Sequence, residues 1–260
     1  MPTISLLKAD SFTESFYKEY SFLKHGSKRS ARLFGKQVAE IVTFNENSNL
    51  LVFSAPHSNI ATASNAFKDY LLANCTRQFL QKNISVKQSK IDRLYSYDDD
   101  YGKMSKVDRE KAISSDIFHI DKNFIQPNDI LIFVDDIKIT GAHEKRILEL
   151  LDRENITNET IFIYIAEYTG NEPSIEHKLN HHSVNSLLDV NYIIRNDEFI
   201  FNTRIVKYIL AANSTEFINF ITYQSSIFNE TLFNLAFLNG YNKNAKYSVN
   251  FETLNKYLTK

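Results

Sequence analysis

The chain predicts an α/β fold in which a parallel or mixed sheet is flanked by helices and followed by a helical C-terminal extension. Three observations carry this. Short apolar runs of strand length recur at Leu50–Phe53, Ile130–Val134 and Ile161–Ile165. Segments with helical spacing lie between them, and helix–strand alternation of this kind builds parallel sheets. From about residue 196 the pattern is helical only.

In chain order, Ala31, Phe34, Val38 and Ile41 or Val42 recur at helical spacing and predict a helix over 30–42. The polar cluster Asn45–Asn49 reads as a turn, and Leu50–Phe53 as a buried strand. Ser54-Ala55-Pro56-His57-Ser58-Asn59 breaks that strand, and a helix is expected over 60–80. Ile84–Ile91 is a further strand candidate. Within residues 92–123, Tyr95–Lys103 reads as an exposed, aperiodic loop, followed by a helix start at Met104–Arg109 capped by Ser105. Long excursions in compact domains tend to be functional or disordered.

Ile130–Val134 then forms a strand that Asp135-Asp136 ends, and Ile137–Ala142 leads into a helix carrying Ile147, Leu148, Leu150 and Leu151. Helices are expected over 204–212, 215–227 and 231–238, the last ended by Gly240. The aromatic residues Phe217, Phe220, Tyr223, Phe228, Phe233 and Phe237 read as core or interface. The expected division is a core domain over 20–195 and an extension over 196–260 that does not fold alone.

Composition narrows the function. Among 260 residues, 30 Lys and Arg stand against 31 Asp and Glu, so no bulk charge points to nucleic acid or an anionic membrane. The single Cys75 forms no internal disulfide, which fits a reducing compartment. The N-terminus carries Lys8, Asp10 and Glu14 without a long apolar run, and no stretch suggests a membrane span. The expected location is cytoplasmic.

Chemistry concentrates at 135–143. In an open parallel sheet, ligands bind beyond the carboxyl ends of the strands. Two adjacent acids there repel each other, and ribose accounts for them, because each carboxylate accepts from one of the 2- and 3-hydroxyls. Lys138–Ala142 can wrap a phosphate with backbone N–H groups, helped by the Thr140 hydroxyl and the helix N-terminus. Gly141 permits the close approach.

The run Ile130-Leu131-Ile132-Phe133-Val134-Asp135-Asp136-Ile137-Lys138-Ile139-Thr140-Gly141 resembles the phosphoribosyl-pyrophosphate (PRPP) signature of type I phosphoribosyltransferases. The layout over about 20–195 is most similar to the ComF-like group, which includes members linked to tellurite-resistance gene clusters. The resemblance implies ribose binding by Asp135 and Asp136 and 5-phosphate binding by Lys138, Ile139, Thr140, Gly141 and Ala142. It assigns pyrophosphate to Ser54, Ala55, Pro56, His57 and Ser58. Tyr101–Arg109 resembles the flexible loop of ComF-like members and implies catalytic roles for Lys103 and Arg109, beside Lys106. Mg²⁺ is the implied cofactor, carried by ribose and pyrophosphate and reached by Asp135 and Asp136. His143 departs from the Thr that many members carry. Ile139 replaces an acid found in purine-salvage members, so a hypoxanthine-guanine enzyme is not implied.

The implied reaction is transfer of the 5-phosphoribosyl group to a nitrogen acceptor with release of pyrophosphate. The alternatives are a non-catalytic sensor of PRPP or a nucleotide, and a ComF-like accessory protein working through residues 200–260. The implied partners are PRPP or another ribose 5-phosphate ligand and a nitrogen acceptor the sequence does not name. The extension would serve as a hood or a homodimer surface.

Other readings compete at single positions. Paired acids after a strand also suit a Mg²⁺ site of the response-regulator or Walker B kind. Gly35-Lys36-Gln37 lacks the first Gly and the hydroxyl of a P-loop. His177 and His181 have the spacing of a zinc pair, with His182 next to them, but a solvated helix face is expected. Lys24-His25-Gly26-Ser27-Lys28-Arg29 reads as a solvated turn, with phosphate capping as its rival. Tyr95, Tyr97 and Tyr101 are candidates for stacking on a base.

Overall fold

The computed structural model describes residues 2–95 and 117–259. Its centre is a five-stranded, all-parallel sheet in the order β1-β7-β6-β2-β3. The strands are β1 (Thr3–Ala9), β2 (Asn49–Ser54), β3 (Ser85–Ser89), β6 (Asp129–Lys138) and β7 (Thr160–Tyr168). Two more strands, β4 (Ile91–Tyr95) and β5 (Ile117–Ile120), pair antiparallel as a separate ribbon. The helices among the described residues are α1 (Glu14–Lys24), α2 (Lys28–Ala39), α3 (Ala63–Gln81), α4 (Ala142–Arg153), α5 (Ile175–His181), α6 (Leu187–Asn196), α7 (Thr203–Leu210), α8 (Ser214–Thr222), α9 (Ser226–Leu238) and α10 (Ser248–Leu258). The expected α/β architecture with a helical C-terminal part is what the chain adopts.

Residue contacts divide the chain into two compact units. One comprises 1–14, 31–57 and 64–178, and the other comprises 15–30, 58–63 and 179–260. The units interleave along the sequence, whereas the sequence pattern suggested one boundary near residue 195.

In the first unit the central strands are buried on both faces, as their unbroken apolar runs require. On one face Leu51, Phe53, Leu131, Phe133, Phe162 and Tyr164 pack with Ile147, Leu150 and Leu151 of α4 and with Ile91, Phe118 and Ile120 of the ribbon. On the other face Leu50, Val52, Ile132, Val134, Ile163 and Ile165 are equally buried. Register partners Phe53, Phe133 and Phe162 form an aromatic row across three strands, with ring centroids 5.1 and 5.3 Å apart. Offset aromatic pairs at such distances add to the energy of burial.

The second unit has its own core. Phe22 and Ile60 pack with Val190, Ile193, Ile205, Ile209, Phe217, Phe220, Leu232 and Leu254. Phe217 and Phe220 are buried and Phe228 and Phe233 pack against this core, while Tyr223 and Phe237 are exposed.

Several local expectations are corrected. β6 does not end at Asp135-Asp136, because Asp135, Ile137 and Lys138 continue the ladder opposite Tyr164, Ala166 and Glu167 of β7. The strand expected over 84–91 is two strands, β3 and β4, and Tyr95 ends β4 instead of opening a loop. Residues 24–29 are not a solvated turn. His25 and Ser27 are buried, the Ser27 hydroxyl donates to Asp197, and Arg29 pairs with Asp197 and Glu19. Partners that far along the chain leave no mark in local sequence. Gly26 sits there at φ 94°, where a Cβ would lie 2.5 Å from the Ile200 carbonyl oxygen.

Gly35 is in mid-helix in α2, where an added Cβ would lie 2.6 Å from Cβ of Tyr70. Close approach of α2 to α3 explains this glycine. Among the described residues no helix is long and apolar enough to cross a membrane.

Candidate functional site

The order of the sheet places the site. The chain leaves β2 through α3 to β3 on one side and leaves β6 through α4 to β7 on the other. Neighbouring strands whose connections diverge leave a crevice at their carboxyl ends, where α/β proteins bind ligands. Ser54 at the end of β2 faces Val134 of β6 in register. The sequence candidates at 54–57 and 135–142 therefore flank one switch point.

A narrow, solvent-open recess lies there. Ser54, Ala55, Val134, Asp135, His143 and Glu144 line it over a floor that includes Phe133, Phe162 and Tyr164. Pleating sends consecutive side chains of a strand to opposite faces. Asp135 thus shares the face of Leu131 and Phe133, the one that α4 covers. Asp136, which is 5% exposed, does not line the recess. The structure brings one acid of the pair to this crevice, not both.

The Asp135 carboxylate is held at both oxygens. Oδ1 accepts from the Asp136 amide at 2.8 Å, and Oδ2 lies 3.3 Å from Nδ1 of His143. Desolvation alone would lower the pKa of His143. The hydrogen bond and charge of Asp135 outweigh it and raise that pKa above the ordinary histidine value.

The turn from β6 into α4 is glycine-dependent. Gly141 is the N-cap of α4 at φ 72°, a left-handed conformation, and no side chain caps the helix there. Among the described residues no backbone carbonyl accepts from the Thr140 or Gly141 amide. The first amides of a helix also lack intrahelical acceptors. The Thr140 hydroxyl accepts from the Ala142 amide at 3.3 Å. Ile139 is half-buried and Thr140 exposed, so the loop meets solvent. This is an anion-accepting arrangement of N–H groups.

Charge around the loop is partly spoken for. Lys138 Nζ lies 2.8 Å from Glu144 Oε2, which also accepts from the Tyr164 hydroxyl at 3.1 Å. Burial, with the carboxylates of Asp135 and Glu144 adding to it, pushes the Tyr164 phenol far above its usual pKa, so it stays a donor. Glu144 and Tyr164 were missed from sequence. The signal for Glu144 was its place as the third residue of a helix just beyond the Thr-Gly turn.

The segment 54–58 is built differently. Ser54, Ala55 and Pro56 are buried and His57 is half-buried, whereas Ser58 is exposed and belongs to the second unit. The Ala55 amide donates to the Ser64 hydroxyl and the His57 amide to the Ile91 carbonyl of β4. His57 Nδ1 donates to the Ala55 carbonyl at 3.0 Å, and burial lowers its pKa. Its neutral ring then presents Nε2 as an acceptor. Lys103, Lys106, Arg109, Tyr97 and Tyr101, with the helix start at Ser105, lie outside the described residues.

A family model described as PRTase ComF-like matches residues 3–254. The chain belongs to this phosphoribosyltransferase-type, ComF-like family. No curated protein matches the chain. In this ComF-like protein, the matched span reaches into both units and contains every residue of the candidate site.

Metal donors are oxygen here. Asp135 and Glu144 offer carboxylates to the recess, a chemistry that suits a hard divalent cation carried by ligand phosphates. Among the described residues no group of three or more His, Cys, Asp or Glu forms a metal site of its own. His181 packs on His25 and Tyr208, at ring-centroid distances of 5.9 Å from each.

Proposed function

We propose that this ComF-like protein binds PRPP, or a related ribose 5-phosphate, at the β2/β6 switch point and transfers its phosphoribosyl group to a nitrogen acceptor. One observation carries the reading. Asp135 enters the recess directly beside the uncapped N-terminus of α4. A sugar hydroxyl acceptor next to a phosphate cradle matches the two ends of a ribose 5-phosphate.

On this reading the Asp135 carboxylate accepts from a ribose hydroxyl, and the amides of Thr140, Gly141 and His143 hold the 5-phosphate at the helix N-terminus. Asp136 is the other acid the resemblance implies. Lys138 and Ile139 open the cradle, and Thr140 supplies its hydroxyl. Ser54, Ala55, Pro56 and His57 face the pyrophosphate end. Lys103 and Arg109 are the proposed catalytic cations. Positive charge develops at the anomeric carbon as pyrophosphate leaves, so fixed acids near the ribose and fixed donors near the phosphates lower the barrier. Mg²⁺, reached by Asp135, would neutralise the leaving pyrophosphate.

The engaged amides of Ala55 and His57 favour a second reading. A loop whose N–H groups are already bonded suits a single phosphate better than pyrophosphate, and the protein would then sense a ribose 5-phosphate or nucleotide without transfer. The first test is thermal shift with ribose 5-phosphate, and with PRPP plus Mg²⁺, using Asp135→Asn as control. Stabilisation should rise with ligand concentration and vanish in the variant. Pyrophosphate release against a panel of nucleobases and amines separates transfer from sensing. No stabilisation by either ligand overturns both readings.

A further inference from the structure

We infer that His143 is a positioning residue for the sugar: it holds the Asp135 carboxylate in the orientation that accepts a ribose hydroxyl. This rests on the reading of the recess as a ribose 5-phosphate site. The two residues meet across the turn, His143 from the second position of α4 and Asp135 from β6, at 3.3 Å. The Asp136 amide holds the other oxygen.

A carboxylate has about four lone-pair sites. With one used on each oxygen, the plane of the group is set and the remaining sites have fixed directions. An acceptor ordered before binding loses little freedom when the ligand arrives. The His143 side chain is 43% exposed, so it is not a core filler whose loss would leave a cavity. Thr at this position, shorter and without a ring nitrogen, would leave that oxygen of Asp135 unheld.

A histidine here can do either of two jobs, orienting the acid or binding the phosphate itself. The experiment measures affinity for ribose 5-phosphate and for inorganic phosphate, the latter probing the helix N-terminus alone. His143→Ala should weaken ribose 5-phosphate about 10-fold, the scale of one hydrogen bond to a charged group, and leave inorganic phosphate unchanged. His143→Asn, which keeps a donor near the position of Nδ1, should restore most of the loss. Asp135→Asn sets the scale for losing the acceptor.

An equal loss for both ligands would make His143 a phosphate ligand and overturn the inference, as would an unchanged ribose 5-phosphate affinity in His143→Ala. In either case wild-type binding leaves the site reading intact. If the wild type binds no ribose 5-phosphate, the site reading falls and takes this inference with it.

Discussion

Lys138 and Glu144 form an ion pair across the Gly141 turn, with Nζ and Oε2 2.8 Å apart. The pair spans the end of β6 and the first turn of α4, so it braces the loop between them. It also cancels a carboxylate that would otherwise repel a phosphate.

Removing that cancellation should show directly. Lys138→Met leaves Glu144, among the described residues, with the Tyr164 hydroxyl as its remaining partner, and we expect ribose 5-phosphate affinity to fall about 10-fold, close to 1.4 kcal/mol. Lys138→Met/Glu144→Gln should recover most of it. Calorimetry on the single and double variants reads this, and an unrecovered double variant would mean that Lys138 itself touches the ligand.

Asp129 and Lys87 test stability away from the site. Asp129 is 3% exposed and accepts from Lys87 Nζ at 2.8 Å and from the Gln126 amide at 2.9 Å. Lys87→Met strands a buried carboxylate and should cost about 3–5 kcal/mol, whereas Lys87→Met/Asp129→Asn should cost much less. Urea unfolding measures both. Equal losses would show that the charge is not the issue.

Gly35→Ala sets packing against propensity. Alanine favours a helix over glycine by about 1 kcal/mol. The added Cβ would meet Cβ of Tyr70 at 2.6 Å and the Leu71 amide nitrogen at 2.8 Å, and overpacking costs about 1–3 kcal/mol. The net effect should be a lower Tm. A raised Tm would mean that α2 and α3 can separate at little cost.

His25 predicts a pH dependence. Desolvation first, then Arg204, lowers its pKa to about 3, and its Nδ1 donates to the Ser21 carbonyl at 2.8 Å. The unfolded chain takes up a proton near pH 6.5 and the folded chain does not. Stability is therefore complete above pH 6.5 and falls as pH drops toward 3, at up to about 1.36 kcal/mol per pH unit. Unfolding free energies of wild type and His25→Phe across that window should diverge in slope. Parallel curves would refute the assignment.

How much of this could be read in advance varied with locality. The apolar runs of β2, β6 and β7 and the Thr140-Gly141 turn were legible, because local pattern and tertiary role agree there. The extension of β6 through Asp135-Asp136 was not, since aspartate disfavours strands and only pairing with β7 holds it there. That extension also hid the split of the two acids, which follows from pleating once the strand is known. β1 escaped notice because it is an edge strand with a weak alternation. The burial of His25 and Ser27 depended on Asp197 and its neighbours, and the His143–Asp135 contact on the angle at which α4 starts.

The pairing of Ser54 with Val134 has a kinetic side. These residues sit on neighbouring strands with α3, β3 and the ribbon threaded between them in sequence. Bringing such distant stretches together requires closing a large loop, which is slow and delays their contact during folding. The walls of the crevice thus assemble late, and substitutions there should alter how quickly the native protein comes apart far more than how quickly it forms.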